Sequence, residues 1–289
     1  ICFYIIRPIF HLFVNKKGVA MENCIITNDL KVAYDDFVVI PDFNIEIKKG
    51  KITSIIGANG CGKSTVLKAI GRIIKAESGN IIINDKDIFK MKNKDIAKEM
   101  AILPQTPTAP GSITCFELVS YGRYPYQKEL GKLSNEDKEV INWALKVTNM
   151  EQFKTRSIAS LSGGQRQRVW IAMSLAQQTN IILLDEPTTY LDLNHQLEVL
   201  ELLKKLNQEE KVTIVMVLHD LNLACKYSDY LLAMKDGQVF DFGSSNDVFN
   251  ENMLKECFAI EGEIIKDSKT NKNVCVSYDL YKKESEHES

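Results

Sequence analysis

The sequence predicts an α/β fold, a mainly parallel sheet wrapped by helices. Three observations predict it. Short apolar runs alternate with helical stretches along the chain. One of these runs, 51–56, passes directly into a glycine loop at 57–62 and then a helical stretch at 63–71. Another, 181–184, ends in two acids, Asp185 and Glu186. The composition suits such a fold. At 289 residues, 45% hydrophobic and 26% charged, the chain can bury one large core or two lobes.

Taken in order, residues 1–20 hold the apolar stretch 1–14, broken by Arg7, Pro8 and His11. With neither an initiator Met nor a small-residue cleavage site, they read as a non-native or disordered leader, with Met21 as the start, and a weak membrane-touching segment as the alternative. Residues 25–47 read as strands, since Phe43-Asn44-Ile45-Glu46-Ile47 alternates and Lys49-Gly50 turns. Residues 81–83 form another short strand. Four prolines (Pro104, Pro107, Pro110, Pro125) make 104–125 a loop-rich junction. From 134 to 159 the pattern is helical, with Ser134 and Asp137 suited to a cap and Val140, Ala144 and Val147 on one face. Helices follow at 165–178, 193–206 and 221–227, and strands at 181–184 and 212–218. The stretch from about 106 to 165 lacks strand signal and looks like a helical insertion. A hairpin is expected at 263–278 around the polar turn 267–273, followed by a charged, mobile tail.

Several classes are excluded. With 36 Lys+Arg against 38 Asp+Glu and a net charge of -2, a protein holding nucleic acid mainly through charge is disfavoured. Seven scattered cysteines without a Cys-x-x-Cys pair read as reduced thiols, not a bridge framework or zinc site. No apolar run reaches the about 18 residues of a spanning helix.

The chemistry begins at Gly57-Ala58-Asn59-Gly60-Cys61-Gly62-Lys63-Ser64, a complete G-x-x-x-x-G-K-[ST] between a strand and a helix. Glycines let backbone N–H groups curl around an anion, and the following helix points its positive end at it. Lys63 suits the β/γ-phosphates and the Ser64 hydroxyl suits Mg²⁺. Carboxylates at a strand's C-terminal edge lie where α/β sheets bind ligands. Asp185 suits Mg²⁺ through water, and Glu186 a water-orienting or general-base role.

Leu161-Ser162-Gly163-Gly164-Gln165 is an uncommon string. It resembles the signature of ATP-binding cassette (ABC) ATPases, and the remaining motifs are similar in order. Tyr34 stands upstream of Gly57 where that family places an aromatic under adenine. Gln105 resembles its Q-loop, Tyr190-Leu191-Asp192 its D-loop, and His219 its switch histidine. The resemblance covers roughly residues 22–280. Leu103-Pro104-Gln105, Gly122-Arg123-Tyr124-Pro125, the run 165–173 and Leu218-His219-Asp220-Leu221-Asn222 are similar to the ATPases of bacterial iron-siderophore importers, with haem and cobalamin import ATPases as close cousins.

The resemblance implies a P-loop NTPase domain over 21–262, with a RecA-like core, an N-terminal antiparallel β subdomain and an inserted α-helical subdomain. Residues 263–289 would be a hairpin and tail. It implies that ATP is held by Tyr34, Gly57, Asn59, Gly60, Cys61, Gly62, Lys63, Ser64 and Thr65. Across a head-to-tail homodimer, Ser162, Gly163, Gly164, Gln165 and Asp192 would complete the site. Ser64, Gln105 and Asp185 would serve Mg²⁺, and Lys63, Gln105, Glu186 and His219 would serve catalysis. The implied partners are transmembrane permease subunits and, through them, a substrate-binding protein, with no nucleic acid. The implied place is the cytoplasmic face of the cell membrane, as a peripheral subunit.

In that setting the 105–126 junction helps receive the permease, with Tyr121, Arg123, Tyr124 and Tyr126 as candidate contacts. Cys61, beside Lys63 and a helix N-terminus, is expected to have a lowered thiol pKa and to react with alkylating agents. His195 and His11 are read as structural, and Trp143 and the Trp170/Met173 face as packing. An exporter ATPase, or a soluble cassette protein of translation or DNA repair, is the competing reading. The latter is disfavoured by a single cassette, the lack of a heptad insertion and the lack of a basic face.

Overall fold

A computed structural model describes residues 22–127 and 132–281. The expected leader (1–20) and the last residues of the expected tail (282–289) lie outside the described residues. The chain runs β1 (Asn23–Tyr34), β2 (Phe37–Ile40), β3 (Ile45–Lys48), β4 (Ile52–Gly57) and α1 (Lys63–Ile70). Next come β5 (Ser78–Ile83), β6 (Lys86–Asp87), α2 (Asn93–Glu99) and β7 (Met100–Leu103). Then follow α3 (Cys115–Ser120), α4 (Asn135–Val147), α5 (Gly163–Ala176), β8 (Ile181–Leu184), α6 (Leu193–Glu210) and β9 (Thr213–Val217). The chain continues through α7 (Leu221–Tyr227), β10 (Tyr230–Lys235), β11 (Gln238–Ser244), α8 (Ser245–Val248) and α9 (Glu251–Phe258) to β12 (Ile260–Lys266) and β13 (Asn273–Leu280).

The central sheet has the order β11-β10-β4-β9-β8-β7, and all neighbours are parallel except the β10–β11 pair. Its inner strands are buried on both faces, which is why they read as mostly apolar runs. Alternation still sorts their side chains. Ile52, Ile56, Ile182, Leu184, Ile214, Met216, Leu231 and Ala233 point to the side packed by α5, α6, α7 and α9. Ile55, Ile181, Leu183, Val215, Val217, Leu232 and Met234 point to the other. There they meet Val66, Leu67 and Ile70 of α1 and the apolar face of an antiparallel sheet, β2-β1-β5-β6 with β3 also on β1. β12 and β13 form a separate antiparallel hairpin.

Helices α3, α4 and α5 pack against one another beside the parallel sheet. Two sequence expectations are corrected here. The helix expected over 134–159 ends at Val147, because the Thr148 hydroxyl donates to the Ala144 carbonyl (2.9 Å) and Asn149 turns left-handed at φ 58°. The proline-rich junction is not all loop, since it contains α3. There Thr114 and Glu117 close a capping box: the Glu117 N–H donates to the Thr114 hydroxyl and the Glu117 carboxylate accepts from the Thr114 N–H. The short strand β7 and the β10–β11 pair carry no sequence expectation, because runs of four to seven residues are ambiguous by periodicity alone. Among the described residues, no helix is long and apolar enough to cross a membrane.

Candidate functional site

The central strand β4 delivers the glycine loop to the C-terminal end of the sheet, between β10 and β9. Gly57 is required by close approach. A Cβ there would lie 2.5 Å from the Met234 carbonyl oxygen and 2.7 Å from Cys61 Sγ. Gly62 opens α1 in the left-handed region, at φ 97°, with Ile40 Cδ1 only 2.6 Å from where its Cβ would be. Around Gly60 the space is open. The N–H groups of Gly60, Gly62, Lys63 and Ser64 have no acceptor among the described residues. Together with the helix end, they make a cradle for an anion. Lys63 is buried, and its Nζ donates to the Gly57 and Ala58 carbonyls at 2.9 Å each. Those neutral acceptors can be exchanged for a phosphate oxygen, a stronger partner for an ammonium. Asn59 is exposed on the rim, and Thr65 lies half-buried in the first turn of α1.

The adjacent strands bring in the acids. Asp185, just past β8, is buried and fixed by its own N–H donating to the Leu103 carbonyl (2.9 Å). Its Oδ1 accepts from the Ser64 hydroxyl at 2.6 Å. Its Oδ2 is buried without a hydrogen-bond partner, and Lys68 Nζ stands 3.9 Å away. An orphaned carboxylate oxygen beside a hydroxyl, both at the mouth of an anion cradle, is a donor set that fits a hard divalent cation such as Mg²⁺.

Glu186 is the convergence point. Its Oε2 accepts from Gln105 Nε2 (2.5 Å) and from the Thr189 hydroxyl (2.9 Å), and its Oε1 lies 2.7 Å from His219 Nε2. Gln105 arrives two residues after β7, and His219 two residues after β9, while Glu186 follows β8 between them. Glu186 also holds φ 53°, a left-handed conformation costing a non-glycine residue on the order of 1 kcal/mol. Strain of this kind persists where surrounding contacts fix the residue.

The signature residues stand apart from the loop. Leu161 is buried, and Ser162 caps α5. The Gln165 N–H donates to the Ser162 hydroxyl (3.3 Å), and the Ser162 N–H donates to Gln165 Oε1 (3.1 Å). The N–H groups of Gly163 and Gly164 have no acceptor, and no hydrogen bond joins 161–165 to 57–65, among the described residues. The segment is therefore a second, separate end of a helix open to an anion. Tyr34 ends β1 and is 46% exposed, leaving its ring available for stacking. Asp192 caps α6 through the His195 N–H (3.0 Å).

Two expectations need correction. Arg123 is not an exposed contact, being only 3% exposed. It donates to Asp137 Oδ1 (2.8 Å), the Ala176 carbonyl (2.8 Å) and Gln178 Oε1 (2.7 Å), and it stacks on Tyr126. Tyr126 is half-buried and donates to the Gln177 carbonyl (3.0 Å), whereas Tyr121 and Tyr124 are 55% and 59% exposed. Cys61 does not have a lowered thiol pKa. Burial pushes it up, and the Lys63 charge only partly opposes this. His195 fits the structural reading: its ring bonds to Asp192 and lies against Gly164. Thr189, unmarked in the sequence, proves to be a hydrogen-bond donor to Glu186. Its spacing of three from Glu186 across Pro187 was the available signal.

Residues 40–189 match the family model for ABC transporters. The chain is 54% identical over 264 residues to the iron(3+)-hydroxamate import ATP-binding protein FhuC of Bacillus subtilis (strain 168), covering 91% of this chain and 98% of that one. It is 40% identical to the ferric enterobactin transport ATP-binding protein FepC of Escherichia coli (strain K12), covering 82% and 88%. Among solved structures it is similar to an ATP-binding cassette determined as a dimer in a post-hydrolysis state bound to ADP and Pi. That match has a TM-score of 0.67 at 31% identity and covers 76% of this chain and 98% of the other.

Proposed function

The chain belongs to the ABC transporter family as an ATP-hydrolysing subunit, and on that premise we propose that it energises uptake of an iron-siderophore complex through a membrane permease. The observation that carries the chemistry is Glu186. One carboxylate, at the mouth of a complete phosphate cradle, gathers donors from the ends of three neighbouring strands. Its likeness to import subunits for ferric hydroxamate and ferric enterobactin supports the cargo class.

Two subunits pair head to tail, so that the loop at 57–65 of one faces the segment 161–165 of the other. The phosphates rest on the N–H groups of Gly60, Gly62, Lys63 and Ser64, with Asn59, Cys61 and Thr65 completing the loop and Tyr34 under the adenine. Ser64 and Asp185 would hold Mg²⁺ with Gln105 near it, and the ion would neutralise charge on the β- and γ-phosphates. Lys63 leaves its two carbonyls for the γ-phosphate. Glu186 directs the attacking water, held in place by Gln105, Thr189 and His219, and His219 donates towards the charge that builds on the γ-phosphoryl group. Ser162 and the Gly163 and Gly164 N–H groups close the far side from the partner subunit. ATP thereby joins the dimer, and hydrolysis releases it. The permease sees two conformations of the pair, which couples hydrolysis to transport. A substrate-binding protein acts through the permease, and the subunit works at the cytoplasmic face of the membrane.

The test is reconstitution of this chain with its permease and binding protein, and measurement of phosphate release. Ferric hydroxamate, ferric catecholate, haem and cobalamin are each supplied as cargo. Stimulation by an iron-siderophore complex is expected. Stimulation by haem or cobalamin alone would overturn the cargo reading.

A further inference from the structure

His195 stands in the first turn of α6, half-buried, and a single oxygen fixes it twice. Asp192 Oδ1 accepts from the His195 backbone N–H at 3.0 Å and lies 2.6 Å from its ring Nδ1. The ring is thus locked to the segment that caps α6. Its far edge fills the place where a side chain at position 164 would be. A Cβ on Gly164 would lie 2.5 Å from His195 Cδ2, 2.9 Å from Cγ and 3.2 Å from Nε2. Gly163 is different, since its nearest neighbour in the same position is Leu191 Cδ2 at 3.7 Å. The missing side chain of Gly164 is therefore explained by the imidazole against it, within one subunit.

This contact joins two segments with different duties. Running back from Asp192, the Leu191 N–H donates to the Thr188 carbonyl (3.3 Å), and the Thr189 hydroxyl donates to Glu186 (2.9 Å). Gln196, next to His195, donates to the Leu191 carbonyl (2.8 Å). On the other side, Gly164 carries one of the two open N–H groups at the start of α5. Resting on the two-subunit reading above, we infer that His195 is a positioning residue. Held by Asp192, it sets the angle at which the Gly163–Gly164 end of α5 meets the partner's ATP, and it ties that end to the segment carrying the subunit's own Glu186.

The test uses the full chain in a Glu186→Gln background, where the two-subunit reading expects ATP to accumulate in a closed dimer. Dimer formation against ATP concentration is followed by sedimentation, and ATP binding to the monomer by a fluorescent analogue. His195→Ala should leave monomer binding unchanged and raise the ATP midpoint for dimerisation about tenfold, the size expected for loss of one coupled contact. His195→Asn, whose amide can still donate to Asp192, should recover part of the loss, whereas His195→Leu should not. Gly164→Ala should also impair dimerisation. Adding His195→Ala to it should do no further harm, because the alanine methyl and the ring compete for one space. If the Glu186→Gln parent never dimerises with ATP, the two-subunit reading falls and this inference with it. If the parent dimerises and His195→Ala matches it at every ATP concentration, the inference alone is overturned. It is overturned equally if the two alanine substitutions add independently.

Discussion

Replacing Arg123 with Met tests how the helical region is held together. The guanidinium is 3% exposed and meets one carboxylate, one backbone carbonyl and one side-chain amide oxygen. Methionine approximates its stem and removes all three bonds. Asp137 would then be left buried and unpaired, apart from its cap bonds with Ser134. Breaking a buried pair by removing one partner costs about 3–5 kcal/mol, because the remaining charge is uncompensated. That is a large share of a total stability of about 5–15 kcal/mol. The assay is urea unfolding at neutral pH, read as a lower midpoint with unchanged slope. Arg123→Met with Asp137→Asn should recover much of the loss, since no charge is then stranded and the amide can still accept from Ser134. Acid adds an independent readout. Burial alone would raise the Asp137 pKa, but the Arg123 guanidinium and the Ser134 hydroxyl and N–H override it and hold the carboxyl below its ordinary value. A depressed native pKa gives stability that is present above the unfolded value, about 4, and is lost as pH falls through the native one. Without Arg123 the burial effect is unopposed by it, so the stability gap between wild type and variant should narrow below about pH 4. A loss under about 1 kcal/mol, or no recovery in the double variant, would refute this account.

Three further outcomes are expected. Glu186→Gln should bind ATP yet hydrolyse it about 10²–10⁴-fold more slowly, in steady-state phosphate release; turnover at the wild-type rate would remove Glu186 from the mechanism. Gly62→Ala should cost about 1–3 kcal/mol and weaken ATP binding, because of its positive φ and the Ile40 methyl in its way; thermal denaturation and nucleotide titration at wild-type values would show the loop tolerates it. Cys61 should react with a thiol reagent near neutral pH at least about tenfold more slowly than a free cysteine, and become reactive on unfolding in urea; fast labelling of the native chain would contradict the raised thiol pKa.

The parts of the site legible in the sequence are those made by contiguous backbone. The loop from Gly57 to Ser64 needs glycines and a following helix within a few residues, so its composition reveals it before any packing is known. The paired acids after an apolar run, and the capped helix after Leu161, are legible for the same reason. The strands β4, β8 and β9 announce themselves because burial on both faces leaves them mostly apolar.

What surrounds Glu186 is not contiguous. Gln105 and His219 meet it only because β7, β8 and β9 lie side by side in register, and β7 is too short to declare itself by periodicity. Desolvation is equally invisible along the chain. Cys61 beside a lysine suggested an acidic thiol, and Arg123 among three tyrosines suggested a contact. In both cases burial, which depends on distant parts of the chain, reversed the inference. Gly164 follows the same rule. Its place in a motif is written in the sequence, but the imidazole that requires it to be glycine comes from another helix. Local dihedral needs and periodicity are fixed by neighbours along the chain and determined the cradle and the fold class. Desolvation and long-range contacts are fixed by neighbours in space, and only the tertiary structure decided them.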